Sequence, residues 1–431
     1  MTLAFIVCLG VLLALAALGA PIALSMIVSS IVYVAMRGQD LALPAEQLIQ
    51  GVYDSYVILA VPLFIVAANI MNAGTVSERL LGFVVAMVGR FRGGLGHVNV
   101  VASLIFAGMS GSAVADAAGI GKLIINMMRE GGRYTAGYAA AITAASSTIG
   151  PIIPPSIPMV LYALVSDQSI GYLFLGGVVP GLIMGLVLMI MNARISARRG
   201  FKLEEPVPVR AIPRLTLNAF PALMMPVILL VGIYGGMTTP TEAAALAALY
   251  ALFLSVVFYR ALSFRAFWDI MRVSARQSAS VGVVIGGALI FNYIVASENI
   301  PAHMRAFAGA LDISPLMFLL MINVLLLLLG CLLDASTLIL VIIPLFLPAC
   351  RELGIDLVHF GVVAIVNCMI GLITPPYGIV LFVINAVTGI ALRDMIREIW
   401  PFLGALLSAL LALILFPDLV LWLPRMFGYA G

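Results

Sequence analysis

The sequence predicts an all-α integral membrane protein with an inverted repeat that contains two re-entrant helical hairpins and two discontinuous helices. Three observations predict this fold class. Of the 431 residues, 63% are hydrophobic and 10% are charged, whereas soluble domains carry about 25% charged residues. Apolar runs long enough to span a bilayer recur along the chain. Paired prolines, Pro154-Pro155 and Pro375-Pro376, interrupt one such run in each half.

The first repeat is predicted over residues 1–192. The apolar stretch 97–130 is too long for one span and is interrupted by the small residues of 108–112. It is therefore predicted to enter and leave the membrane on the same side, as a hairpin. A broken helix follows at 134–165, because its prolines remove backbone donors and block helical continuation. The remaining spans of this half are predicted at 2–18, 20–36, 52–72 and 169–192.

The second repeat is predicted over residues 217–422, after a basic cytoplasmic linker at 193–216. Its hairpin covers 316–350, which small and polar residues interrupt at 330–337, and its broken helix covers 358–388. The other elements are predicted at 217–237, 240–259, 263–276, 278–296 and 399–422, with a C-terminal tail at 423–431.

Matching features occur in the same order in both halves, and the basic residues indicate that the halves are inverted. The matched pairs include Asn69 with Asn292, Gly108 with Gly330, and Gly150 with Gly371. If the N-terminus is periplasmic and the halves have opposite orientations, most of the 22 lysines and arginines lie on the cytoplasmic side. This distribution satisfies the positive-inside rule and predicts a multi-pass protein of the inner membrane.

The two helix breaks indicate a transport site where the halves meet, because irregular backbone at membrane depth is stable only where protein or a water-filled cavity satisfies it. Oxygen atoms at half-helix C-termini suit a desolvated sodium ion, with about two sodium sites expected, and half-helix N-termini suit an organic anion. The candidate sodium ligands are Ser110, Ser112, Ser146, Thr148, Gly150, Gly330, Asp334, Gly371 and Thr374. The candidate substrate-facing residues are Ser110, Gly111, Pro154, Pro155, Ser336, Thr337, Pro375 and Pro376. The alternative is that these small residues only let membrane helices pack closely.

Ionisable residues inside the predicted membrane segments are few, and each is a functional candidate by default. Asp334, at the second hairpin tip, is the best candidate for an ion ligand or a structural anchor. Asp116 is expected to brace the first hairpin, and Lys122 either to snorkel or to pair with Asp116. Glu242 is expected to cap a helix. So small a set of titratable groups favours sodium coupling over a proton relay.

Other function classes have less support. The net charge of +3, without a basic run interleaved with aromatic residues, gives no sign of nucleic-acid binding, and no phosphate-binding Walker loop is present. The Gly108-Met-Ser-Gly111 segment fits the Gly-x-Ser-Gly motif of intramembrane serine proteases, which would be the alternative in a different class. His97 and His303 are expected in loops and His359 at the outer edge of a span, so none is placed as the catalytic base. No enzymatic activity is expected.

At these residues the chain resembles the large membrane subunit, or DctM-like permease, of the tripartite ATP-independent periplasmic (TRAP) transporters. The segment Gly108-Met-Ser-Gly-Ser-Ala-Val-Ala-Asp116 resembles the first hairpin of that family. The segment Ala140-Ala-Ile-Thr-Ala-Ala-Ser-Ser-Thr-Ile-Gly-Pro-Ile-Ile-Pro-Pro-Ser156 is similar to its signature almost letter for letter, and Gly371-Leu-Ile-Thr-Pro-Pro376 also fits. The resemblance extends over essentially the whole chain.

The resemblance implies an elevator-type sodium symporter in a bacterial or archaeal inner membrane. It also implies a separate small four-helix membrane subunit (DctQ-like) and a periplasmic binding protein (DctP-like) that delivers an organic acid and largely sets substrate choice. Many members carry a glutamate where this chain has Met369, so any contribution of that carboxylate to the second sodium site is either absent or supplied from elsewhere. The alternative transporter is a stand-alone sodium–dicarboxylate carrier of the related ion-transporter type, which shares paired hairpins and broken helices.

Overall fold

The computed structural model describes residues 2–54, 56–72, 75–201, 207–300, 302 and 313–431. Over these residues the chain is helical and contains no strand, which confirms the predicted all-α class. Among the described helices, five are long and apolar enough to cross a membrane. They are Ile170–Arg199, Val209–Tyr234, Pro240–Phe258, Phe264–Ser297 and Leu392–Leu415.

The helices before the first hairpin are α1 (Leu3–Ala17), α2 (Ile22–Met36), α3 (Leu43–Asp54), α4 (Ala60–Asn72) and α5 (Thr75–Val88). Gly19, with φ +85°, and Pro21 form the turn between α1 and α2. The single span predicted at 52–72 is wrong, because α3 ends at Asp54 and a 3₁₀ turn precedes α4. Pro62 lies in the first turn of α4, where the missing N–H of proline costs least, and this position agrees with the boundary.

The first hairpin consists of α6 (Gly94–Ser110) and a second arm that comprises α7 (Ala113–Asp116), a π-helical turn (Ala117–Gly121) and α8 (Lys122–Arg129). Gly111 forms the tip with φ +59°, a left-handed conformation that glycine adopts without a steric penalty. Ser112 caps the second arm, and its hydroxyl accepts from the backbone N–H of Ala115. The predicted hairpin, 97–130, is therefore present with a first arm that begins three residues earlier.

The first broken helix consists of α9 (Ala136–Ser147) and α10 (Ile157–Ser166), separated by the proline-bearing segment 148–156. Thr135 caps α9, and Ser156 caps α10 by accepting from the backbone N–H of Met159. The long helix α11 (Ile170–Arg199) follows. Every residue of α9 from Gly137 to Ser147 is buried, as expected for a helix that is apolar on all sides.

The second half begins with α12 (Ile212–Tyr234), α13 (Pro240–Phe253) and α14 (Phe264–Ser297). The separate helices predicted at 263–276 and 278–296 are wrong, because α14 runs without a break through both. No glycine or proline occurs from 264 to 281 to end the helix, and its charged first turns therefore continue directly into the apolar span.

The second hairpin consists of α15 (Pro315–Gly330) and a second arm with α16 (Ala335–Thr337), a π-helical turn (Leu338–Ile342), a 3₁₀ turn (Ile343–Leu345) and α17 (Leu347–Glu352). The second broken helix consists of α18 (Leu357–Gly371) and α19 (Ile379–Thr388). Asp356 caps α18 by accepting from the N–H groups of Val358 and His359. Both elements agree with the predicted boundaries to within two residues.

The last helices are α20 (Leu392–Leu415) and α21 (Asp418–Met426). The span predicted at 399–422 is shifted by seven residues, because Pro417 disfavours helical backbone at Phe416 and charged residues in the first turns of α20 mask its beginning. The tail predicted from 423 begins inside α21. In the core, α9 packs against α6 and α20, and α18 packs against α11 and α15.

Elements of the two halves recur at nearly constant spacing, including the π-helical turns Ala117–Gly121 and Leu338–Ile342 in equivalent arms. On the other side of the site, α4 packs against α13 and α14. The domain division, the opposite orientation of the halves and the elevator motion stay predictions.

Candidate transport site

A cavity of about 390 Å³ lies where the two hairpin tips meet. The first tip contributes Ser110, Gly111 and Ser112, and the second contributes Asp334 and Ser336. These residues come from opposite halves of the sequence. Their shared cavity places the predicted hydroxyl and carboxylate groups of both tips around one volume.

Four helix N-termini converge on this cavity. The first residues of α7, α10, α16 and α19, which are Ala113, Ile157, Ala335 and Ile379, all line its wall. Unpaired N–H groups and the helix dipole give each N-terminus a partial positive charge. The breaks in the helices therefore direct partial positive charges at a cavity whose described wall contains no arginine or lysine and one carboxylate, Asp334, and helix N-termini of this kind suit an anionic group of a ligand.

Asp334 anchors the second tip. Its Oδ2 accepts from the backbone N–H of Thr337 at 3.1 Å, and its Oδ1 accepts from the Thr337 hydroxyl at 2.5 Å. Ser112 holds the equivalent position in the first hairpin, where it caps α7. The carboxylate thus fixes the tip geometry while it also lines the cavity, and Thr337 supports it from behind the wall.

Asp116 is the most unusual carboxyl group near the site, although it is not among the residues that line the cavity. Its side chain is 2% exposed, and neither carboxylate oxygen has a hydrogen-bond partner. The Ser110 hydroxyl lies near enough to interact, although not at hydrogen-bonding geometry. A Cβ at Gly150 would overlap Asp116 Oδ2, so the carboxylate touches the first helix break. The structure gives Asp116 no hydrogen bond through which to brace the hairpin.

Three of the predicted hydroxyl ligands bond to nearby groups instead of facing the cavity. Ser146 Oγ donates to Asn99 Oδ1 at 2.9 Å, Thr148 Oγ1 donates to the Ala145 carbonyl at 2.7 Å, and Thr374 Oγ1 donates to the Ile370 carbonyl at 2.7 Å. They lie at the C-terminal ends of α9 and α18, so their helix-end carbonyls remain the groups that can face an ion.

The predicted glycines and prolines mark close approaches of the backbone. A Cβ at Gly371 would lie 2.8 Å from the Cα of Gly330, and a Cβ at Gly111 would lie 2.6 Å from the Pro155 carbonyl oxygen. Glycine is therefore required where α15 crosses α18 and where the first tip meets the first break. Pro154 and Pro155 are buried, Pro375 is half-buried, and Pro376 is exposed.

The remaining structural candidates lie away from the cavity. Lys122 is exposed while Asp116 is buried without a partner, so the suggested pairing of Lys122 with Asp116 is wrong, because the lysine side chain points outward from the hairpin. Glu242 accepts from the Thr239 N–H at 2.7 Å and forms a capping box at the start of α13.

The opposite wall of the cavity was missed from the sequence. Asn69 on α4 and Gln277 and Ser280 on α14 line it, together with Met369 from α18. Asn69 Nδ2 donates to Gln277 Oε1 at 2.8 Å and to Ser274 Oγ at 2.9 Å. Asn69 could have been predicted, because the sequence matches it with Asn292 in the second half. The α14 residues could not, because no local sequence motif surrounds them.

Among the described residues, no histidine lies where it could act as the catalytic base of the protease motif. His97 was predicted to lie in a loop, but it is buried in α6. It is 13 residues from Ser110, a separation of about 20 Å along a helix. His359 Nε2 bonds the Leu413 carbonyl at 2.9 Å, and His303 lies outside the described residues.

Comparisons with known proteins show which family the chain is similar to. The family described as "Tripartite ATP-independent periplasmic transporter, DctM component" matches residues 9–419. The chain is 40% identical over 413 residues to the sialic acid TRAP transporter large permease protein SiaM of Vibrio cholerae, covering 95% of this chain and 96% of that protein. It is 39% identical over 376 residues to the C4-dicarboxylate TRAP transporter large permease protein DctM of Pseudomonas aeruginosa, covering 87% and 88%.

Among solved structures, the YdaH transporter of Alcanivorax borkumensis superposes with a TM-score of 0.62 at 17% identity, covering 88% of each chain. This likeness concerns the fold alone. Together, the end-to-end family match and the relatives of nearly equal length identify the chain as a transporter subunit and not an enzyme. The chain belongs to the TRAP transporter family, as a large permease (DctM) component of the membrane.

Proposed function

We propose that this permease imports an organic acid by sodium symport, without ATP, after a periplasmic binding protein delivers the solute. The observation that carries this proposal is the convergence of four helix N-termini and two hairpin tips on one cavity. The N-termini would bind a carboxylate, and the hydroxyls of Ser110, Ser112 and Ser336 would orient the rest of the solute. The relatives named for sialic acid and C4-dicarboxylates take solutes of this class.

Sodium fits the oxygen groups of the site. Asp116 supplies a buried carboxylate without a partner, which a cation would compensate, and it lies against Gly150 and near Ser110. Neutral oxygens would come from the carbonyls at the ends of α9 and α18. The hydroxyl oxygen of Thr337, whose proton is donated to Asp334, would be a further one. Within the described residues, no group of three or more His, Cys, Asp and Glu is arranged to hold a metal, and neutral oxygens with one carboxylate are what an alkali cation needs.

The family implies two partners, a small membrane subunit and a periplasmic binding protein. In our proposal the hairpins and broken helices move as one body against α4 and α14, which form the fixed wall of the cavity. The N-terminus lies in the periplasm. The large apolar surface of α12 and α13 remains available for lipid or for the small subunit.

Uptake into proteoliposomes tests this proposal. Vesicles that contain both membrane subunits receive the binding protein loaded with a radiolabelled organic acid, and sodium and proton gradients are imposed separately. An inward sodium gradient should drive accumulation, whereas a proton gradient alone should not. Accumulation driven only by protons contradicts sodium symport. Uptake that proceeds equally without the binding protein supports the stand-alone carrier instead.

A further inference from the structure

The second hairpin contains a backbone carbonyl whose α-helical donor is missing. In an α-helix the carbonyl of Leu340 would accept from the N–H of residue 344, but residue 344 is proline and has no N–H. The chain passes here from the π-helical turn Leu338–Ile342 to the 3₁₀ turn Ile343–Leu345. An unsatisfied carbonyl at membrane depth is costly, so it needs a donor from another element.

Asn292 on α14 supplies that donor. Its Nδ2 lies 3.2 Å from the Leu340 carbonyl oxygen. The other end of the amide, Oδ1, is buried and has no partner. Only the amide N–H of Asn292 therefore makes a hydrogen bond. This bond joins α14 to the arm of the hairpin that begins at Asp334.

The first half of the chain provides an internal comparison. The equivalent π-helical turn, Ala117–Gly121, is followed by Leu123 at the position that corresponds to Pro344, so the first hairpin keeps its backbone donor. Asn69, the counterpart of Asn292, does not bond to the first hairpin but to Ser274 and Gln277 on α14. An asparagine reaches a hairpin carbonyl only in the half where proline has removed the helical donor.

We infer that Asn292 is a positioning residue for transport, which holds the second hairpin against α14 by replacing the donor that Pro344 lacks. The inference rests on the proposed function, in which the hairpin moves relative to α14. Leu340 lies six residues from Asp334, about 9 Å along a helix, so the bond sets the height of the second tip relative to the fixed wall.

A double-mutant cycle tests the assignment. Asn292→Ala should lower the maximal uptake rate at least threefold, with the half-saturating sodium concentration changed less than twofold, because Asn292 is not among the cavity-lining residues. Asn292→Leu, which keeps a similar volume but removes the donor, should do the same. Pro344→Ala restores a backbone N–H, so Asn292→Ala introduced into that background should change the rate less than twofold. An equal loss in both backgrounds, or no loss in either, overturns the inference.

Two further measurements separate the role of Asn292 from the proposed sodium symport and from a general effect of mutating α14. Amide hydrogen exchange over 338–346 should accelerate in Asn292→Ala and return towards the wild-type rate in the double mutant. An unchanged exchange rate in the single mutant would contradict the bond. This result does not depend on whether uptake requires sodium. Ser297→Ala, on the same helix and bonded only to the Tyr293 carbonyl, is the matched control and should transport normally. If the wild-type protein shows no sodium-driven uptake, the proposed function fails while the exchange result still decides the role of Asn292.

Discussion

Asp116 is a carboxylate that the folded protein buries without a partner, an arrangement that lowers stability unless a ligand compensates it. Asp116→Asn should therefore leave the thermal stability of the sodium-free protein unchanged or higher. The same change should raise the half-saturating sodium concentration for uptake at least tenfold. Melting curves with and without sodium check both effects, since the wild type alone should gain stability from the ion.

The matched control for Asp116 is Glu242→Gln, which alters a carboxylate in an exposed capping box and should leave sodium dependence unchanged. If Asp116→Asn and Glu242→Gln have the same sodium dependence as the wild type, Asp116 is not an ion ligand.

Sequence reasoning identified one wall of the site and not the other. Ser110, Ser112, Asp334 and Ser336 were predictable because hairpin tips carry small and polar residues between apolar arms. Gln277 was not, since a single amide on the long helix α14 has no neighbouring signal, and only folding brings it opposite the tips. Hydroxyl direction was equally unpredictable: Ser110 lines the cavity, whereas the hydroxyl of Thr148 donates to a helix carbonyl.

At the scale of elements, the crossing of α15 and α18 depends on the absence of side chains. Gly371→Ala would place a Cβ 2.8 Å from the Cα of Gly330, and neither backbone can move without displacing a helix break. This variant should lower the melting temperature by several degrees and abolish uptake. Gly404→Ala is the control, because a Cβ there meets nothing within 4 Å and alanine favours a helix by up to about 1 kcal/mol. A Gly371→Ala variant as stable and active as Gly404→Ala would contradict the close crossing.

Element boundaries were predictable where the sequence carries strong breaking signals. Paired prolines and glycines placed both hairpins and both broken helices to within three residues. Boundaries failed where polarity was mistaken for a break. The charged start of α14 and the charged first turns of α20 remain helical, because charge at a membrane interface does not interrupt backbone hydrogen bonding, whereas Pro417 does end α20.

In the molecule as a whole, the two halves share the same kinds of element but contribute different side chains to the site. Hairpin arms, caps and π-helical turns recur in both halves, but the charges in the site differ, with Asp116 buried in one half and Asp334 capping a tip in the other. This asymmetry suits a site that binds two unlike ligands, a cation and an organic anion. No arginine or lysine is among the described residues that line the cavity, and in our proposal the binding protein, rather than this chain, largely sets substrate choice.

The predicted inversion of the repeat can be tested on the molecule as a whole, by asking from which side of the membrane each hairpin is accessible. Glu130 and Glu352 occupy equivalent positions at the ends of the two hairpins, and both are exposed. The four native cysteines are buried, so a single introduced cysteine can be labelled selectively. With a membrane-impermeant maleimide, Glu130→Cys should react in inverted vesicles and Glu352→Cys in right-side-out vesicles, because the sequence predicts that the first hairpin opens to the cytoplasm and the second to the periplasm. Labelling of both positions from one side would mean that the halves are parallel, and the positive-inside distribution would then need another explanation.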